Sequence, residues 1–156
     1  YTGSSYIHQN MPRFSLETAL KVRGRLEKLY QKALAEQVQL EQQHRDRKKL
    51  MQEALDVHND DLDKAKADGV TINQLLMGGN FQQRIKQHLE LTQAQLNEQL
   101  EVVELKRHEL TQATQKKRVL EILKEKEIEK FKAESERLES LEADEIAQNY
   151  RRDIQN

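Results

Sequence analysis

Cysteine is absent from this sequence, which removes a disulfide frame, a thiolate metal site and a thiol nucleophile at once and fits a cytoplasmic protein. Tryptophan is also absent and aromatic residues make up only 4%, a profile that argues against a rounded domain. One proline and five glycines leave most of the chain without a helix breaker. Neither sign of charge dominates: 26 Lys and Arg stand against 27 Asp and Glu, for a net charge of −1. The signs are interleaved, so the basic stripe of a nucleic-acid binder is missing. No apolar run approaches the ~18–20 residues of a membrane span. No basic stretch followed by an apolar one opens the chain, so no secretory signal is expected.

What is present is charge, at 34% of residues, laced around thin apolar lines with helical spacing. That spacing separates the chain from a disordered one of similar composition. Residues 1–10, YTGSSYIHQN, are small and polar without period. Met11-Pro12 resembles a natural start, and the ten residues before it are expected to be disordered or foreign to the natural chain. The first helix is predicted over about 15–66, with Ser15 as N-cap and Phe14 beside it as a hydrophobic staple. Its apolar line runs Leu16, Leu20, Leu26, Leu29, Ala33, Leu40. Gln37, His44 and Arg47 interrupt a strict heptad, and a second line, Leu34, Leu55 and Leu62, runs at multiples of seven. Asp68-Gly69 predicts a C-cap.

The segment 68–80, DGVTINQLLMGGN, is predicted as the one loop. It is either a hairpin turn packing on the coil end or a partner-binding tip. Asn80 is the expected N-cap of a second helix over about 80–150, leaving 153–156 as a tail. Its main line is Leu89, Leu96, Val103 and Leu110, broken by Lys117 and Lys124 before Phe131 and Leu138. A second line, Ile85, Thr92, Gln99 and Lys106, is mostly polar. At 1.5 Å per residue the helices would span about 75–80 Å and about 105 Å. Joined by a short loop they run antiparallel. The expectation is therefore an all-α fold over 11–152, a long antiparallel two-helix coiled-coil hairpin with a longer C-terminal helix. Pairing outward from the loop exhausts the first helix opposite roughly Phe131. The remaining stretch, with Leu138, Leu141 and Ile146, is too apolar for a solvated tail and points to a partner.

Catalytic signatures are missing. Met77-Gly78-Gly79-Asn80 lacks the Lys and Ser/Thr of a phosphate loop, and His8, His44, His58, His88 and His108 form no HExxH spacing. The carboxylates alternate with Lys and Arg, as around Glu125 and Glu129, which is the pattern of a solvated helix face. No enzyme activity, catalytic residue, cofactor or metal is expected.

Several segments carry a resemblance in order along the chain. Phe14-Ser15-Leu16 with Leu20 and Arg23, Asp68-Gly69-Val70-Thr71 followed by Phe81-Gln82-Gln83-Arg84-Ile85, Lys116-Lys117 followed by Leu120-Glu121, Leu123 and Lys126, and Asp144-Glu145-Ile146-Ala147 before Tyr150 together resemble the flagellar type III export family FliJ and its injectisome counterpart YscO. The resemblance covers Met11 to about Arg152. It implies a non-enzymatic stalk, cytoplasmic and peripheral to the inner face of the cell membrane, that bridges a hexameric export ATPase (FliI-like) and an export gate protein (FlhA-like) and assists export chaperones. The implied ring-inserting residues are Phe14, Leu16, Leu20, Leu138, Leu141, Asp144, Glu145, Ile146 and Tyr150. The implied gate-contact residues are Arg47, Met51, Ala54 and His58 on the first helix and Arg84, His88, Leu91 and Gln95 on the second, one stripe on each helix at i, i+4, i+7, i+11 spacing, the first suited to an outward contact face. The alternatives are an injectisome stalk, a coiled-coil adaptor, and a homodimeric spacer hinged at Gly78-Gly79.

Overall fold

The structure, a computed structural model, describes residues 14–154; the expectations for residues 1–10 fall outside them. The fold is all-α, two helices, α1 (Glu17–Asp68) and α2 (Ile72–Ile154). The chain divides into two compact units: Lys28–Gln112, and Tyr1–Glu27 together with Ala113–Asn156.

The unit 28–112 is an antiparallel helical hairpin. Asn59 meets Gln82, Met51 meets Thr92 and Gln37 meets Gln99, so numbers fall on one helix as they rise on the other. The turn is only Gly69–Thr71, shorter than the loop over 68–80 that the glycines suggest. Gly69 takes φ +91°, a conformation glycine adopts without a Cβ penalty, and it ends α1 as the C-cap reading requires. Three residues later α2 has already begun. Thr71 Oγ1 accepts from the Gln74 backbone N–H (3.3 Å), and Gln74 Oε1 accepts from the Thr71 N–H (3.0 Å). This reciprocal T-x-x-Q capping box starts the helix nine residues before Asn80 and contributes on the order of 1 kcal/mol. Asn80 lies inside α2, where its carbonyl accepts from Arg84 Nε at 3.4 Å.

Gly78 and Gly79 are therefore interior helical positions, not loop residues. Each costs about 1 kcal/mol of helix propensity relative to alanine. At Gly78 the missing side chain has a use. A Cβ there would lie 3.1 Å from Leu62 Cδ1 and 3.6 Å from His58 Nε2. His58 Nε2–H donates to the Gly78 carbonyl at 3.1 Å, and the His58 ring packs against Phe81 at a tilt of 57° with centroids 4.5 Å apart. The glycine thus lets the two helices close on one another beside the turn.

That contact sets the phase of the seam. A continuous heptad seam repeats every seven residues, so Leu55, His58 and Leu62 carry it back along α1 through Leu34, Gln37, Glu41, His44, Lys48 and Met51, all covered or half-covered. The line built from Leu29 and Leu40 is displaced from the seam: both are exposed, while Leu26 and Ala33 are half-buried. On α2 the seam alternates Ile85, Leu89, Thr92, Leu96, Gln99, Val103, Lys106 and Leu110, with Thr92, Leu96 and Val103 buried. Polar seam positions find partners where they can. Gln99 Nε2 donates to both the carbonyl and Oε1 of Gln37 at 2.9 Å, whereas His44 Nδ1 is buried without one.

The second unit pairs the start of α1 with the later part of α2. Glu17 N–H donates to the Phe14 carbonyl at 3.0 Å, closing the first turn two residues after Ser15, and Phe14 is buried. Glu17 bridges Lys124 at 2.8 Å and Glu27 bridges Lys117 at 2.7 Å, again antiparallel. Thr114 Oγ1 adds a second donor to Glu27. The Lys117 ammonium and the Thr114 hydroxyl hold the Glu27 carboxyl below its usual range, and Glu27 in turn raises Lys117.

Candidate functional site

Two surfaces follow from this packing, one in each unit. In the unit containing 113–156, Phe131 and Ser135 are the last half-buried positions of α2. Every side chain described from Glu136 to Ile154 is exposed, including Leu138, Leu141, Ile146, Tyr150 and Ile154. Ile146 and Tyr150 are 69% and 70% exposed. The stretch is helical to Ile154, and one ion pair sits at its start. Arg137 makes a two-pronged contact with Glu134, Nη2 to Oε1 at 2.6 Å and Nε to Oε2 at 3.0 Å, which lowers the Glu134 carboxyl and raises the guanidinium. Between Glu134 and Glu145 the charge is strongly acidic, with Arg137 the one cation.

The nine residues expected at the ring-inserting end share this unit but not one environment. Phe14 is buried and Leu20 half-buried, while Leu16 is exposed. Leu138, Leu141, Asp144, Glu145, Ile146 and Tyr150 are all exposed on α2. Phe14 and Leu20 thus pack at the start of α1, and most of the exposed apolar residues among the nine belong to α2.

The eight residues expected on a gate-contact face lie in the hairpin unit, and the outward stripe on α1 is split. Arg47 and Ala54 are exposed. Met51 and His58 are half-buried in the seam: Met51 Sδ accepts from Thr92 Oγ1–H at 3.7 Å, and His58 holds Gly78 and Phe81. Their heptad step from Leu55 and Leu62 carries them inward. On α2, Arg84, His88 and Leu91 are exposed and Gln95 is half-buried. Sequence reasoning named Phe81 only within the resemblance and Gly78 only as a loop or hinge residue, and it missed the Thr71–Gln74 box. The T-x-x-Q spacing signals the last of these, but no spacing rule signals the fit of Leu62 onto Gly78.

A groove of about 330 Å³ is lined by Arg45, Lys48, Lys49, Gln52, Glu53 and Leu96, and it lies open along the helix face. Among the described residues no group of three or more His, Asp or Glu is placed to hold a metal ion, and no helix is long and apolar enough to cross a membrane.

A family model described as Flagellar FliJ protein matches residues 12–153. The chain belongs to the FliJ family. No curated protein and no solved structure matches it. Membership agrees with the resemblance carried by the sequence and makes the chain a flagellar, export-related protein of a non-enzymatic family. For a FliJ-family chain, the uncovered end of α2 and the exposed flanks of the hairpin are the surfaces available for assembly.

Proposed function

We propose that this FliJ-family chain is the central stalk of a flagellar export ATPase ring. The exposed end of α2 carries the reading. A helix that shows Leu138, Leu141, Ile146 and Tyr150 to solvent beside Asp144 and Glu145 has apolar area whose removal from water favours association. The proposed occupant of that surface is the inner wall of a hexameric, FliI-like ATPase. Phe14, Leu16 and Leu20, at the start of α1 in the same unit, are proposed to enter the ring with it, Leu16 from an exposed position.

On the hairpin unit, Arg47, Ala54, Arg84, His88 and Leu91 form the proposed contact with an FlhA-like export gate. Met51, His58 and Gln95 support that contact from the half-buried side. Export chaperones are further proposed partners, and the site of action is the cytoplasm, peripheral to the inner membrane face. The stalk works by differential contact with ring states, because only unequal affinity for two states shifts their balance. An injectisome stalk would use the same surfaces with other partners.

The test is ATP hydrolysis by the cognate export ATPase, titrated with the full chain and with a chain cut after Leu138. Saturable stimulation by the full chain, lost on truncation while helical circular dichroism falls only in proportion to the residues removed, is expected. Stimulation retained by the truncated chain would move the inserted segment elsewhere, and no stimulation by either would remove the stalk reading.

A further inference from the structure

The two units hold their helices together by different means. In the hairpin unit the seam is apolar and amide: Leu55, Leu96 and Val103 are buried, and Gln99 bonds twice to Gln37. Among the described residues, every ion pair of that unit lies within one helix. In the unit that contains the start of α1 the balance is reversed. From 14 to 27 only Phe14 is buried, and Leu16 and Val22 are exposed. What crosses to α2 there is charge. Lys124 Nζ reaches Glu17 Oε2 at 2.8 Å, and Lys117 Nζ reaches Glu27 Oε2 at 2.7 Å.

The two clasps differ in strength. Glu27 is 12% exposed, and Thr114 Oγ1–H donates to its other oxygen at 2.9 Å, while Glu121 stands 3.6 Å from the Lys117 ammonium. Glu17 and Lys124 lie more open to water, so salt screens them more readily. Between the clasps Gly24 sits half-covered, where a Cβ would meet nothing within 4 Å. An interior glycine weakens a helix relative to alanine, and no close packing compensates for it here. The start of α1 is therefore weakest where charge has to hold it.

We infer that residues 14–27 form an ionic strap: Glu17 and Glu27 clasp the start of α1 onto Lys124 and Lys117 of α2, and this segment releases while the hairpin over 28–112 stays closed. Local opening of this kind begins where few apolar contacts are buried. Release uncovers Leu120 on α2 and Leu20 and Leu26 on α1, all half-buried, beside Val119 and Leu123, which are exposed already. The strap thus sets how much apolar surface this unit offers to a partner. The inference goes beyond the stalk reading and holds whichever partner takes that surface.

Amide hydrogen exchange of the full chain, resolved by segment, is compared in sodium chloride at about 0.05 M and about 1 M, where the screening length is about 3 Å. Protection across residues 20–27 is expected to fall at least about threefold at the higher salt, while that across 51–62 and 89–103 stays within about twofold. Salt-independent protection over 20–27 overturns the inference, as does an equal loss in both units or a segment unprotected even at the lower salt. Exchanging the signs of the firmer clasp separates charge from shape. Glu27→Lys alone is expected to open the strap at low salt and leave the hairpin protected. Glu27→Lys with Lys117→Glu is expected to restore much of the lost protection, because the pair is remade in reverse. A double variant no better protected than Glu27→Lys would overturn the ionic clasp.

Discussion

The part of α2 between Gln82 and Ser135 and the part from Glu136 to Ile154 have similar ingredients and opposite fates. Both mix charges of two signs around apolar residues at helical spacing. In the first, one stripe is covered by α1: Leu96 is 4% exposed and Val103 3%. In the second, apolar residues of the same kind stand in water. Both segments have the same backbone conformation, but only the first gains burial energy from the chain itself. Leu138 continues the seven-residue line of Leu89, Leu96, Val103 and Leu110, yet it has no α1 opposite it, because α1 begins at Glu17, across from Lys124. Apolar spacing therefore marks where a helix wants a partner, and the covering element decides whether the partner is internal.

The comparison breaks most sharply on truncation to alanine. Leu96→Ala is expected to cost about 2–3 kcal/mol, at the lower end for a core leucine because the seam is narrow. Ile146→Ala is expected to stay within about 0.5 kcal/mol. Urea midpoints at unchanged m-value measure both. Comparable losses would show that residues 136–154 are covered in the free protein.

A smaller effect separates shape from propensity beside the turn. Gly78→Leu forces atoms into space held by Leu62 and His58 and is expected to destabilise by about 1–3 kcal/mol. Gly78→Ala sets a helix-propensity gain of about 1 kcal/mol against a 3.1 Å approach to the mobile end of Leu62, so its net change is small. Thermal unfolding of the pair ranks them, and equal behaviour would remove the close-approach role of Gly78.

The smallest effect distinguishes an ion pair between helices from one within a helix. Glu27 has its carboxyl pKa depressed below the ordinary 4.5 by Lys117 and Thr114. A depressed carboxylate contributes stability that is fully present above the unfolded value and is lost as pH falls through the folded one. Glu27→Gln is therefore expected to flatten the acid limb of the stability profile below about pH 4.5 and to leave the limb from pH 5 to 7 parallel to that of the natural chain. Glu134→Gln, which breaks an exposed pair with Arg137 within α2 alone, is expected to move the acid limb less. A larger change from Glu134 would reverse the ranking of the pair between helices and the pair within one.

Much of this architecture is legible in the residues alone. Gly69 announces the turn, Leu89 to Leu110 announce the covered line of α2, and the unequal helix lengths announce an end without an internal partner. All three depend on local rules: a residue that tolerates positive φ, a seven-residue repeat, and a rise per residue. The α1 seam is not legible in the same way. Leu26, Leu29, Ala33 and Leu40 are the more apolar line, and binary pattern alone prefers them. The phase instead comes from Leu55, His58 and Leu62 against Gly78, and a continuous helix carries that phase through Gln37, Glu41 and His44 whatever their polarity.

By itself, then, the sequence determined that the chain would be two antiparallel helices with a surplus on the second, because backbone periodicity and turn chemistry are local and additive. Only the tertiary structure decided which stripe of α1 faces inward, where α2 begins, and that Met51 and His58 belong to the seam and not to an outward face. Those choices are collective: within residues 28–112 the contacts at Gly78, Met51 and Gln37 must all share one register.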